Sequence, residues 1–116
     1  MRRTQHSDSG HDDARAIAWF RTELEQLATL DSDTIALVLD ATRTDHTTVR
    51  SIIADCLDEA YEYDTQADEA SMSGDDDHAQ FCRQESAAWR ATVTVLRIAD
   101  TRQRGEHLAA RSRRIA

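Results

Sequence analysis

The sequence predicts an all-α fold: a small helical bundle built on a long antiparallel helical hairpin. Three observations predict it. Proline is absent and glycine occurs only at positions 10, 74 and 105 of 116 residues, too few turn residues for a β-sandwich or barrel. Residues 45–72 repeat apolar or small side chains at alternating steps of four and three, at Val49, Ile53, Cys56, Ala60, Tyr63, Ala67 and Ala70, which is a heptad seam. Residues 75–104 do the same at Ala79, Cys82, Ser86, Trp89, Val93 and Leu96. Folded about Gly74 and Asp75, the two seams pair so that every pair of positions adds to the same value. Ala67 then meets Cys82, Tyr63 meets Ser86, Ala60 meets Trp89, Cys56 meets Val93 and Ile53 meets Leu96. Large faces small at the aromatic positions, as interdigitated packing requires.

The remaining elements follow in chain order. Residues 1–11 are polar and without period, the pattern of a disordered N-terminal tail. A first helix is expected over about 12–30, opened by acidic residues at its positive dipole end. Its seam is Ile17, Phe20, Leu24 and Leu27, and Trp19 falls beside it. Asp31, Ser32 and Asp33 are capping residues that should stop it. A second, shorter helix is expected over about 33–42. Its unbroken apolar run from Ile35 to Leu39 predicts burial on most sides. The third helix should end at Ser73-Gly74, where glycine is free to adopt the left-handed C′ conformation. Asp75, Asp76 and Asp77 then open the fourth. This helix carries a second apolar strip, Ala88, Ala91, Val95 and Ile98, which needs cover from the first two helices or from another subunit. The core is therefore expected to thicken there, leaving residues 61–85 as a thinner two-helix arm. Gly105 is expected to close the helix, giving one domain over 12–104 and a basic C-terminal tail over 105–116.

Charge is the other informative property. The net charge is −8, and it is unevenly placed. Between Ser51 and Cys82 there are ten carboxylates and no arginine, whereas six arginines lie from Arg97 onward against Asp100 and Glu106. Off-seam acids such as Asp58, Glu62, Asp68, Glu69 and Asp77 must point outward, because burying an unpaired charge is too costly. Such a surface attracts a basic protein partner and opposes nucleic-acid binding by the body of the protein, leaving nucleic-acid contact to the arginine-rich tail. The N-terminus lacks the apolar stretch of a signal peptide, and no apolar run approaches the roughly 20 residues that span a bilayer. The expectation is a cytoplasmic protein without membrane contact. Short length, a thin arm and the uncovered strip together predict a homodimer.

The chemical motifs are few. Cys56 and Cys82 lie on facing helices but out of register by eleven residues, roughly 16 Å at ~1.5 Å per residue, too far for a disulfide. Both read as small buried hydrophobes. The triple aspartate fails the calcium-loop pattern, since position six would be Gln80 and position twelve Ser86; it reads as a helix cap. No Glu-x-x-His pair exists for a di-iron bundle, and no glycine-rich phosphate loop is present. No cofactor, metal or catalytic residue is expected, and the protein is read as a non-enzyme. One stretch, residues 33–54, is arranged like a helix-turn-helix, with Thr47, Thr48 and Arg50 placed to touch DNA and Arg43 a phosphate. Its turn lacks the usual glycine, and the carboxylates from Asp55 onward would repel the duplex.

These features favour a small accessory or regulatory protein-interaction module of the phage or plasmid accessory, inhibitor or antitoxin type, binding a basic partner through the acidic helical face. Two other readings remain: a DNA-binding regulator using residues 33–54 and the arginine tail, and a DNA mimic in which carboxylates stand for phosphates.

Overall fold

A computed structural model of the chain describes the backbone of residues 4–115 and the side chains of residues 14–105. Four helices follow one another: α1 (Thr4–Leu27), α2 (Ser32–Thr44), α3 (His46–Met72) and α4 (Asp76–Ile115). No strand occurs among the described residues. The molecule is elongated, 64 by 28 by 21 Å, because α3 and α4 form a long antiparallel hairpin and the shorter helices pack at one end of it.

The hairpin seams are buried as their spacing predicts. Val49, Cys56, Ala60, Ala67, Ala79, Cys82 and Leu96 are almost wholly inaccessible, and Ile53, Ala70, Ser86 and Val93 nearly so. Tyr63 and Trp89, the two large members, are half-buried. The turn is set by local chemistry. Gly74 has φ +82°, the Asp75 N–H donates to the Ala70 carbonyl at 2.8 Å, and the Gly74 N–H donates to that of Ser71 at 3.1 Å. This is a Schellman closure, which only glycine enters without strain. Asp75 then caps α4, its carboxylate accepting the His78 N–H at 3.2 Å.

The core thickens at the end away from the turn. Phe20 and Leu24 from α1 and Ile35, Val38, Leu39 and Ala41 from α2 join Val49, Ile53, Cys56, Val93, Leu96 and Ala99 in one cluster. Leu57, Trp89 and Val95 pack against its edge. Polar ties fasten this end. The Thr29 and Thr92 hydroxyls meet at 2.6 Å. His46, the first residue of α3, is 2.5 Å from the buried Asp100 carboxylate, which Arg104 also approaches at 3.7 Å.

Four expectations need correction. α1 begins at Thr4 rather than near residue 12, so the backbone of residues 4–11, expected as a tail, is helical; residues 1–3 lie outside the described residues. Nothing in that stretch forbids a helix, since proline is absent and one glycine costs only about 1 kcal/mol. α1 also stops at Leu27, before residue 30, because Ala28 turns left-handed at φ +55°. α2 is buried on one face and not on most sides: Ile35, Val38 and Leu39 are buried, but Ala36 is exposed and Leu37 is 55% exposed. A run of five apolar residues covers a full helical turn, and there are too few neighbours to bury all of it. Finally, α4 does not end at Gly105 but continues to Ile115. Gly105 has open space around it and lacks the positive φ of a closing residue, and the residues after it are good helix formers. The basic segment is thus helical in its backbone, with side chains beyond 105 outside the described residues.

Candidate functional site

The acidic arm is built by the two-helix part of the hairpin, where the seam is mostly alanine, serine and cysteine. Small seam residues bring the helices close, so the long acidic side chains stay outside. Asp58, Glu62, Asp68, Glu69 and Asp77 are all exposed, and none has an ion-pair partner among the described residues. Cys82 sits beneath this surface with its Sγ 3.6 Å from the His78 imidazole, and His78 stacks on Phe81.

One of the ten carboxylates is neutralised from across the hairpin. Arg90 of α4 donates to Asp64 at 2.6 Å and lies over the Tyr61 ring, 5.2 Å from its centroid. The Ser86 hydroxyl, with Arg90, holds the Asp64 carboxyl below the ordinary carboxylate range. Asp64 correspondingly raises the Arg90 guanidinium. A count along α3 alone misses this pair, because its base comes from the other helix; the seam register puts Asp64 and Arg90 each one residue past a paired position and was the signal that could have found it. The other nine carboxylates have no ion pair among the described residues.

The residues of the helix-turn-helix reading lie at the opposite end of α3. Arg43, Thr47 and Arg50 are exposed and Thr48 is half-buried. The joint between α2 and α3 is the single residue Asp45, which ends one helix and caps the next. Its carboxylate accepts the Thr48 N–H at 3.1 Å and the Thr48 hydroxyl at 2.7 Å, and these bonds pull the Asp45 carboxyl below its ordinary range. Thr48 is therefore engaged in capping. A helix-turn-helix joint is ordinarily three to four residues.

Both cysteines are free and buried. Burial pushes the Cys56 thiol up to about 11, the opposite of an activated nucleophile. Among the described residues no group of three or more histidines, cysteines, aspartates or glutamates is arranged to hold a metal ion, and no described helix is long and apolar enough to cross a membrane.

A further exposed surface was not singled out by charge. Trp19 and Ile98 are 51% and 48% exposed. With Arg15, Ala16, Phe20 and Arg102 they line an open groove of about 560 Å³ between α1 and α4. Trp19 stands edge-on to the buried Phe20, ring centroids 5.1 Å apart.

No curated protein and no solved structure matches this chain. A family model described as Chap-C, the TY-Chap C-terminal domain, matches residues 18–103. Those residues run from the exposed face of α1 to the buried Gln103 of α4, and so cover the whole packed bundle and the arm. The chain belongs to the TY-Chap C-terminal domain family, whose description points to a chaperone-like protein-interaction module.

Proposed function

We propose that the chain is a non-enzymatic, regulatory protein-interaction module that holds a basic segment of a partner protein against its acidic arm in the cytoplasm. The observation that carries this reading is the set of exposed carboxylates at Asp58, Glu62, Asp68, Glu69 and Asp77, without a base to neutralise them among the described residues. Each exposed charge contributes little alone. Together they raise the local concentration of a basic partner and speed its encounter, and salt weakens the effect. The packed seam beneath keeps the arm helical while its surface stays available. Membership in a chaperone-named family agrees with protein contact as the purpose of that surface.

The test is charge reversal. Glu62, Asp68 and Glu69 are replaced together by arginine, and binding of matched basic and acidic peptides is compared at about 50 and about 300 mM salt. Wild type should take the basic peptides, more weakly at high salt, and the variant should lose them with unchanged circular dichroism. Equal binding by the variant would reduce the arm to a solvated face. Duplex DNA serves as the competing ligand for the reading that uses Arg43, Thr47, Thr48 and Arg50; one-residue capping at Asp45 argues against that geometry.

A further inference from the structure

α4 carries a second heptad line that its own fold leaves partly open. Reading from its start, Asp77, Phe81, Gln84, Ala88, Ala91, Val95, Ile98 and Arg102 recur at steps of four and three, the spacing of a coiled-coil seam. This line lies beside the seam that packs on α3. Phe81 is 50% and Ile98 48% exposed, Asp77, Gln84 and Arg102 are exposed, and Ala88, Ala91 and Val95 are half-buried.

The line is complementary to itself when reversed. Laid antiparallel on a copy with its centre between Ala88 and Ala91, the positions pair symmetrically, and all but Gln84 and Val95 are matched in size or charge. Ala88 meets Ala91, Gln84 meets Val95, Phe81 meets Ile98, and Asp77 meets Arg102. The two alanines at the centre let the backbones approach closely, the larger apolar pair sits outside them, and an opposite-charge pair closes each end. The neighbouring line on the open side, Gln80, Ala87, Thr94 and Thr101, is exposed and uncharged, so no like charges face each other there.

We propose that this face binds a second copy of the chain, giving a two-fold antiparallel dimer through α4. The groove of about 560 Å³ is the receptacle. The partner's Phe81 enters it between Trp19 and Ile98, and the partner's Asp77 reaches the arginine rim formed by Arg15 and Arg102. The two-fold repeats the contact at the other end, so the interface is isologous and closes at two subunits. Small centre, apolar flanks and polar rim are the arrangement of a stable interface. The proposal shares only Asp77 with the acidic-arm reading; Glu62, Asp68 and Glu69 lie on α3 and off this line.

The experiment is sedimentation and light scattering of the full chain at rising concentration, with circular dichroism as folding control. Wild type should approach twice the 13.1 kDa chain mass. Ile98→Asp puts a carboxylate against the partner's Phe81 and should weaken association at least about tenfold. Asp77→Arg alone and Arg102→Asp alone should each weaken it, and the two together should restore it, since the pair is rebuilt with reversed sign. A wild-type chain that stays at monomer mass in the high-micromolar range would overturn the proposal. So would a dimer indifferent to Ile98→Asp, or a double reversal no better than either single one, which would place the interface elsewhere or in another register. Should Ile98→Asp fail to fold, the charge-reversal set decides alone. The arm reversal at Glu62, Asp68 and Glu69 should leave the dimer intact, which separates failure of this proposal from failure of the functional one.

Discussion

The hydroxyl of Thr29, in the loop after α1, meets that of Thr92, wholly buried on α4, at 2.6 Å. Thr92 donates its own proton to the Ala88 carbonyl at 2.9 Å, so Thr29 is the donor of the pair. This bond pins the α1–α2 connection to the hairpin. Thr92→Val keeps the shape and removes the acceptor of the Thr29 proton. A loss of about 1–2 kcal/mol is expected, and a double-mutant cycle with Thr29→Val should return a coupling of about 1 kcal/mol. Urea unfolding of the four proteins reads it.

Two backbone positions should respond with opposite sign. Gly74 is left-handed at φ +82° with nothing within 4 Å of where a Cβ would stand. Gly74→Ala therefore meets no clash, only backbone strain, and should lose about 1 kcal/mol. Ala28 is left-handed at φ +55° and already bears that strain. Ala28→Gly relieves it and should gain about 0.5 kcal/mol after the greater freedom of glycine in the unfolded chain is counted. Thermal melts of both variants check the pair.

The caps at Asp31 and Asp45 make part of the stability depend on pH. Asp31 accepts the Thr34 N–H at 2.7 Å, and bonds from Thr34 lower its carboxyl, as bonds from Thr48 lower that of Asp45. A carboxyl lowered on folding stabilises the native state above its unfolded value, near pH 4, and that contribution is lost as pH falls through the folded value. Wild type should melt above Asp45→Ala at pH 7, and the gap should narrow as pH falls below about 4. A gap that persists at the lowest pH would mean that the cap does not act through its charge.

Both thiols should be silent in the folded protein. Cys56 and Cys82 are buried and free, and burial pushes the Cys56 thiol up to about 11. At pH 8 a disulfide reagent should label neither until denaturant is added, and then both; reaction of one in native buffer would show local opening of the hairpin.

Much of this architecture is legible in the sequence because a two-helix seam is a local property. Steps of three and four fix which side chains turn inward, and Gly74 fixes where the chain reverses, so Ala60, Cys56 and Ile53 are buried as their spacing alone predicts. The ends of α1 and α4 are not legible in the same way. Gly105 looks like a stop but is only a weak helix residue, whereas Gly74 is a stop because its backbone must turn left-handed. Thr92, His46 and Asp100 were invisible because a polar residue's burial depends on what docks against it. The exposed positions Asp58, Glu62, Asp68, Glu69 and Asp77 could be read from their place off the seam, but the Arg90 reach to Asp64 needed the register in three dimensions.

If the acidic arm is where a basic partner binds, the arm itself should report the binding. The most direct measurement is a nuclear magnetic resonance titration of the labelled chain with a basic peptide at low salt, mapping which amides move. Shifts should concentrate at Asp58, Glu62, Asp68, Glu69 and Asp77, saturate with added peptide and fade as salt is raised. Shifts concentrated at Arg43, Thr47, Thr48 and Arg50, or no saturable shift at all, would contradict binding at the arm.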